Sequence, residues 1–108
     1  MKLQKVESHL QEKLKDHYFR ELQELENQKM AIVKRIIEYR IKHRLNQKQL
    51  ARKAGVSQQH ISKIESGEFS NILTLEKVLL MIGYTIRLDA VPVNRLVSKE
   101  FEKHLRAA

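Results

Sequence analysis

The 108-residue chain has no cysteine and no tryptophan, and proline occurs once, at Pro92. Without cysteine there is no disulfide staple and no thiolate zinc site. Glycine occurs only at Gly55, Gly67 and Gly83, so the first half contains neither of the two residues that break helices and is expected to be helical. No apolar run approaches the roughly 20 residues of a membrane-spanning helix. The stretch MKLQKVESHLQEK lacks the apolar core of a signal peptide. A soluble cytoplasmic protein away from membranes is the expectation. The five histidines, His9, His17, His43, His60 and His104, form no HxxxH pair and have no carboxylate cluster at ligand spacing. There is no Gly-rich phosphate loop and no nucleophile elbow. The chain is therefore expected to hold no metal and no cofactor, and not to be an enzyme.

What is abundant is positive charge, and it is concentrated. Residues 1–26 carry five Lys/Arg against six Asp/Glu, net −1; residues 27–72 carry ten against three, net +7; residues 73–108 carry six against four, net +2. A localised basic region is the footprint of a polyanionic partner. Neighbouring opposite charges elsewhere, such as Glu76 beside Lys77, read as solvated surface.

Along the chain, Leu3, Val6, Leu10, Leu14, Tyr18, Leu22 and Leu25 recur at helical spacing in an arm over residues 1–26. Ser8 with Gln11 has the form of a capping box, and Asp16 is a second possible start. Residues 28–44 form a second helical block, with Met30, Val33, Ile37 and Ile41 on one stripe and Ile36 beside it. Asn46 caps a helix from Gln47 to about Ala54, which Gly55 ends; Ser57 caps a helix from Gln58 to Ser66, which Gly67 ends. Thr74 is expected to cap Leu75–Ile82, ended by Gly83. In YTIRLDAV, residues 84–91, the period changes to two, which predicts a strand stopped by Pro92. Asn94 then caps an amphipathic tail with Leu96, Val97, Phe101 and Leu105 on its apolar side.

The stretch LNQKQLARKAGVSQQHISKIESG, residues 45–67, holds two helices of about two turns, too short to persist alone. Leu50, Ala51, Val56, Ile61 and Ile64 are the positions that would pack them. This is the helix-turn-helix pattern, in which one helix braces on the DNA backbone and the next enters the major groove. Gln47 begins the first helix, where free N–H groups meet phosphate. Gln58 and Gln59 begin the second, and an amide matches the N6/N7 edge of adenine.

This segment, followed by LTLEKVLLMIGY, resembles the Cro/C1-type (XRE-family) helix-turn-helix over residues 28–83. The resemblance implies phosphate or base contacts at Gln47, Gln58, Gln59 and Lys63, and an ion pair between Arg40 and Glu65. With neighbouring Lys48, Ser57 and His60, these are the candidate DNA contacts. The leader LKDHYFRELQELENQKMAIVKRIIEYRIKHRLNQKQLA is similar to that of HigA-type antitoxins, which hold a RelE/HigB-type ribonuclease toxin inactive and repress their own operon. His17 stands where many such relatives have proline, which leaves open whether the arm is one helix or two. The strand resembles that of HipB-like antitoxins, where it joins two subunits.

The expected fold is all-α: a five-helix domain of this type with a helical arm and one dimerisation strand. Its expected divisions are a toxin-binding arm (1–26, through Leu10, Leu14, Tyr18, Leu22 and Leu25), a DNA-binding domain (27–83), a dimerisation strand (84–91, through Ile86, Arg87, Leu88 and Asp89) and a tail (92–108). The expected partners are palindromic double-stranded operator DNA, a second copy and a toxin. The competing expectation is a stand-alone, phage-like repressor without a toxin.

Overall fold

The computed structural model describes residues 2–93 and 95–107; the side chains of residues 2–11, 13, 14, 96, 100, 101, 104, 106 and 107 lie outside the description. Five helices occur among the described residues: α1 (Lys2–Lys42), α2 (Gln47–Ala54), α3 (Gln58–Glu65), α4 (Ile72–Met81) and α5 (Arg95–Ala107). The chain divides into two compact units, Met1–Glu26 with Asp89–Ala108, and Asn27–Leu88. The expected arm and the first domain helix are one element, because α1 runs through Ser8, Asp16 and Asn27 alike. With neither glycine nor proline before Gly55, nothing in the backbone forces a break there.

In the unit Asn27–Leu88 the core is built from Val33 and Ile36 of α1, Leu50 and Ala51 of α2, Ile61 and Ile64 of α3, and Leu75, Val78 and Leu79 of α4, with Ile82 just beyond. Each large aliphatic side chain buried this way stabilises by roughly 1.5–3 kcal/mol. α2 packs on both α3 and α4. The apolar stripe of α1 is rotated from the expected one. Val33 and Ile36 are buried, whereas Met30 and Ile41 are 57% and 65% exposed. The inward face continues to Arg40, which is half-buried against Glu65. A charged residue on the inward face hid the true phase of the pattern.

α4 begins three residues earlier than expected. Asn71 is its N-cap, with Oδ1 accepting the Thr74 N–H at 3.1 Å. Thr74 is buried inside the first turn. The expected strand over 84–91 is not formed, and there is no strand among the described residues. A strand needs another to bond to, and the isolated chain supplies none. α4 holds the segment instead. The Tyr84 N–H donates to the Leu79 carbonyl at 2.8 Å, the Ile86 N–H to Glu76 Oε1 at 3.2 Å, and the Thr85 hydroxyl to Glu76 Oε2 at 2.9 Å. Glu76, read from the sequence as solvated surface, is half-buried. Arg35 also secures this segment, donating to the Tyr84 hydroxyl at 3.0 Å and lying 4.8 Å from the centre of its ring.

In the other unit, Tyr18 is half-buried and meets Phe19 edge to face, with ring centroids 5.4 Å apart. Phe19, Leu22 and Leu25 are exposed, as is Leu105 of α5. The expected roles of Leu10, Leu14, Leu96 and Phe101, and the expected Asn94 cap, lie outside the described residues.

Candidate nucleic-acid interface

Every residue of the link between α2 and α3 has a local reason to be where it is. Asn46 begins α2 with a reciprocal capping box: its Oδ1 accepts the Gln49 N–H at 2.7 Å, and its own N–H donates to Gln49 Oε1 at 2.9 Å. Two of the free N–H groups at this helix start are thereby satisfied. Gly55 ends α2 in the left-handed region, at φ 70° and ψ 34°. The Val56 N–H reaches back to the Ala51 carbonyl at 3.0 Å, the bond that closes a glycine-ended helix. Val56 is half-buried against the core. Ser57 then caps α3, with Oγ accepting the His60 N–H at 3.2 Å. The turn is three residues long and leaves no helix end to be tied down by distant contacts.

This construction sets which side chains face outward. Ile61 and Ile64 anchor α3 in the core, leaving Gln58, Gln59, His60, Ser62 and Lys63 exposed. On α2, Leu50 and Ala51 face inward; Lys48, Arg52 and Lys53 are exposed and Gln47 is half-buried. Gln49 is occupied in the capping box. The sequence reading missed it, although the Asn-x-x-Gln spacing of residues 46–49 is the signature of that box. Ser57 and His60 are partly committed to each other: Ser57 Oγ lies 3.0 Å from His60 Nδ1, which leaves Nε2 as the remaining polar ring atom.

The charge around these tips is one-sided. From Tyr39 to Ile64 there is no Asp or Glu. The first carboxylate reached is Glu65, and it is neutralised locally. Arg40 Nε donates to its Oε2 at 3.1 Å and Nη2 to its Oε1 at 3.0 Å, while Nη1 donates to the Leu45 carbonyl at 3.3 Å. Arg40 thus ties α1 both to α3 and to the loop before α2, so the two short helices share one brace. Arg44, in the same loop, sits at φ 53°, the one non-glycine residue in the left-handed region among those described. Nothing in the composition marks that position.

The histidines whose side chains are described, His17, His43 and His60, are not gathered into a metal site. His43 stacks on Tyr39 with centroids 4.0 Å apart, and its Nδ1 lies 2.9 Å from the Tyr39 carbonyl. Among the described residues no group of three or more His, Asp or Glu is placed to hold a metal ion.

Two short capped helices at a three-residue turn, braced on a first helix and tipped with amides and cations, make one kind of module. Residues 36–87 match the Helix-turn-helix family. These residues are a helix-turn-helix domain of the Cro/C1 type. The domain supports a sequence-specific DNA-binding regulator of transcription, with α3 as the second helix of the motif. No curated protein and no solved structure matches the chain significantly. No helix among the described residues is long and apolar enough to cross a membrane.

Proposed function

We propose that the protein is a DNA-binding antitoxin, which represses its own operon as a homodimer and neutralises a ribonuclease toxin of the RelE/HigB type. The DNA half of the reading is carried by the tips of α2 and α3. There Gln47, Lys48, Gln58, Gln59, His60 and Lys63 stand in a stretch, Tyr39 to Ile64, that contains no Asp or Glu. Gln58 and Gln59 read base edges, Gln47 and the lysines meet phosphates, and Ser57 holds the start of α3 in place. In a dimer two such helices would reach successive major grooves about 34 Å apart on a palindrome.

Dimerisation is assigned to residues 84–91. Antiparallel pairing centred on Leu88 sets Arg87 against Asp89 of the second copy, twice, and Ile86 against Ala90. The toxin is assigned to the arm. Its balanced charge makes DNA a poor partner for it, and Leu22 and Leu25 are 46% and 57% exposed. Apolar anchors at helical spacing suit a groove on another protein.

A second reading also has an observation behind it. Met1–Glu26 groups with Asp89–Ala108 in one compact unit, and Tyr18 is half-buried. That favours a stand-alone repressor whose leader helix is covered by its own tail. Co-expression with the product of the adjacent gene separates the two. Capture and inhibition of a small ribonuclease supports the antitoxin. A protein that binds operator DNA but captures no such neighbour is the repressor.

A further inference from the structure

Four helices, α1 to α4, end within the unit Asn27–Leu88, and all four close alike. One N–H bonds back to the carbonyl three residues earlier, and the next N–H to the carbonyl five earlier. The pairs are Arg44 to Ile41 with Leu45 to Arg40, Gly55 to Arg52 with Val56 to Ala51, Gly67 to Ile64 with Glu68 to Lys63, and Gly83 to Leu80 with Tyr84 to Leu79. This closure puts the first donor of each pair in the left-handed region, where a Cβ crowds the following carbonyl and glycine is the usual occupant. At the ends of α2, α3 and α4 that residue is glycine, at φ 70°, 91° and 95°. At the end of α1 it is Arg44, at φ 53°.

Nothing within the fold offsets that strain. The Arg44 side chain is exposed and makes no hydrogen bond, ion pair or ring contact among the described residues. The two bonds that close the turn come from the backbone, and glycine would make them equally well. A cation here also faces the C-terminal end of α1, but Lys42 already supplies one in the last turn. A strained residue that its surroundings do not offset points to a task outside the chain.

We propose that Arg44 is a DNA-backbone contact: its guanidinium takes a phosphate beside the start of α2, and the left-handed conformation is kept for binding rather than for the fold. The inference rests on the DNA-binding reading above and adds a residue to it. Arg44 stands three residues before Gln47, so at most about 10 Å of chain separates it from the helix that braces on the DNA backbone. The link between them is held at two points. Arg40 Nη1 donates to the Leu45 carbonyl at 3.3 Å, and Asn46 is locked with Gln49 in the capping box. The guanidinium therefore projects from a fixed backbone. The stretch from Tyr39 to Ile64 has no carboxylate to draw it back. Its planar fork matches two oxygens of one phosphate. A base edge is the poorer target, because in this motif the helix after α2 is the one that enters the groove.

The experiment uses the full chain and two substitutions. Arg44→Gly removes the cation and the strain together, whereas Arg44→Lys keeps both. Each protein is melted, then titrated at several salt concentrations. The probes are duplexes that the wild type selects from a random pool and an unselected duplex of mixed sequence. Arg44→Gly is expected to melt roughly 4 °C higher and to bind both kinds of duplex about tenfold more weakly, with the salt slope lower by about 0.9 for each copy bound. Arg44→Lys is expected to melt like the wild type and to keep the slope. A merely structural arginine does not move stability and affinity in opposite directions. Unchanged affinity and slope in Arg44→Gly overturn the contact. A loss confined to the selected duplexes, with the slope unchanged, makes Arg44 a reader of bases and overturns the phosphate assignment. A lower melting temperature for Arg44→Gly means that the arginine serves the fold, and overturns the proposal as well. A wild type that binds neither kind of duplex overturns the DNA reading beneath it.

Discussion

Arg40 and Glu65 meet at two points, Nε to Oε2 at 3.1 Å and Nη2 to Oε1 at 3.0 Å, and they join the first and third helices of the domain. The Glu65 side chain is 7% exposed and that of Arg40 22%. Removing the arginine leaves a carboxylate out of water with no partner. Arg40→Ala should therefore destabilise the fold by about 3 kcal/mol. Arg40→Lys, which keeps the charge but loses the planar fork, should cost roughly 1–2 kcal/mol. Urea denaturation measures both, and an Arg40→Lys variant as stable as wild type would show that the fork geometry contributes nothing.

The groove assignment separates base contacts from phosphate contacts. Gln58→Ala should cost roughly 1–3 kcal/mol of operator affinity and relax preference at one position per half-site. Lys48→Ala or Lys53→Ala should weaken binding to all sequences alike and lower the salt slope by about 0.9 for each phosphate left without its cation. Titrations over base-substituted operators at several salt concentrations decide. An unchanged preference profile for Gln58→Ala means that this side chain does not read a base.

Two left-handed positions should respond in opposite directions. Gly55 lies at φ 70°, and a Cβ built there meets nothing within 4 Å, so Gly55→Ala carries backbone strain alone and should destabilise by about 1–2 kcal/mol. Arg44, at φ 53°, already bears that strain, and Arg44→Gly should stabilise by about 1 kcal/mol. Thermal melting of the two variants is the measurement. A lower melting temperature for Arg44→Gly would mean that its side chain makes an interaction worth more than the strain.

The start of α4 is assigned to Asn71, whose Oδ1 accepts the Thr74 N–H. Asn71→Ala should cost about 1 kcal/mol, whereas Asn71→Ser or Asn71→Asp should be nearly neutral, because each keeps a capping oxygen. Denaturant midpoints check this. A neutral Asn71→Ala would place the effective cap elsewhere.

The arm distinguishes the two functional readings. Leu22→Asp with Leu25→Asp should leave melting and operator affinity unchanged, because both side chains are exposed in the free chain. The same double variant should abolish toxin neutralisation by burying two carboxylates in an apolar groove. Full inhibition of the ribonuclease by this variant would exclude these positions from the toxin interface. A large drop in melting temperature would instead mean that the arm stabilises its own fold.

The helix-turn-helix was legible in the sequence because its determinants are local. Asn46, Gly55 and Ser57 act on N–H and C=O groups within a few residues of themselves, and Leu50, Ala51, Ile61 and Ile64 show their period within two helical turns. Charge concentration and the absence of cysteine are likewise properties of the chain, independent of how it folds. What only the tertiary structure decided depends on residues far apart. The phase of the α1 stripe turned on Arg40 facing inward, which is favourable only because Glu65, 25 positions later, arrives there to meet it. Glu76 reads as a solvated charge until the Gly83 turn brings Thr85 and Ile86 back to its oxygens. Arg44 carries no compositional sign of a left-handed backbone; its conformation follows from the Leu45 N–H returning to the Arg40 carbonyl at 2.9 Å to close α1. The alternation of residues 84–91 is a genuine period-two pattern, but a strand is a bonding relation between two segments. A sequence can supply one side of it, and the fold of the single chain bonds that side to a helix.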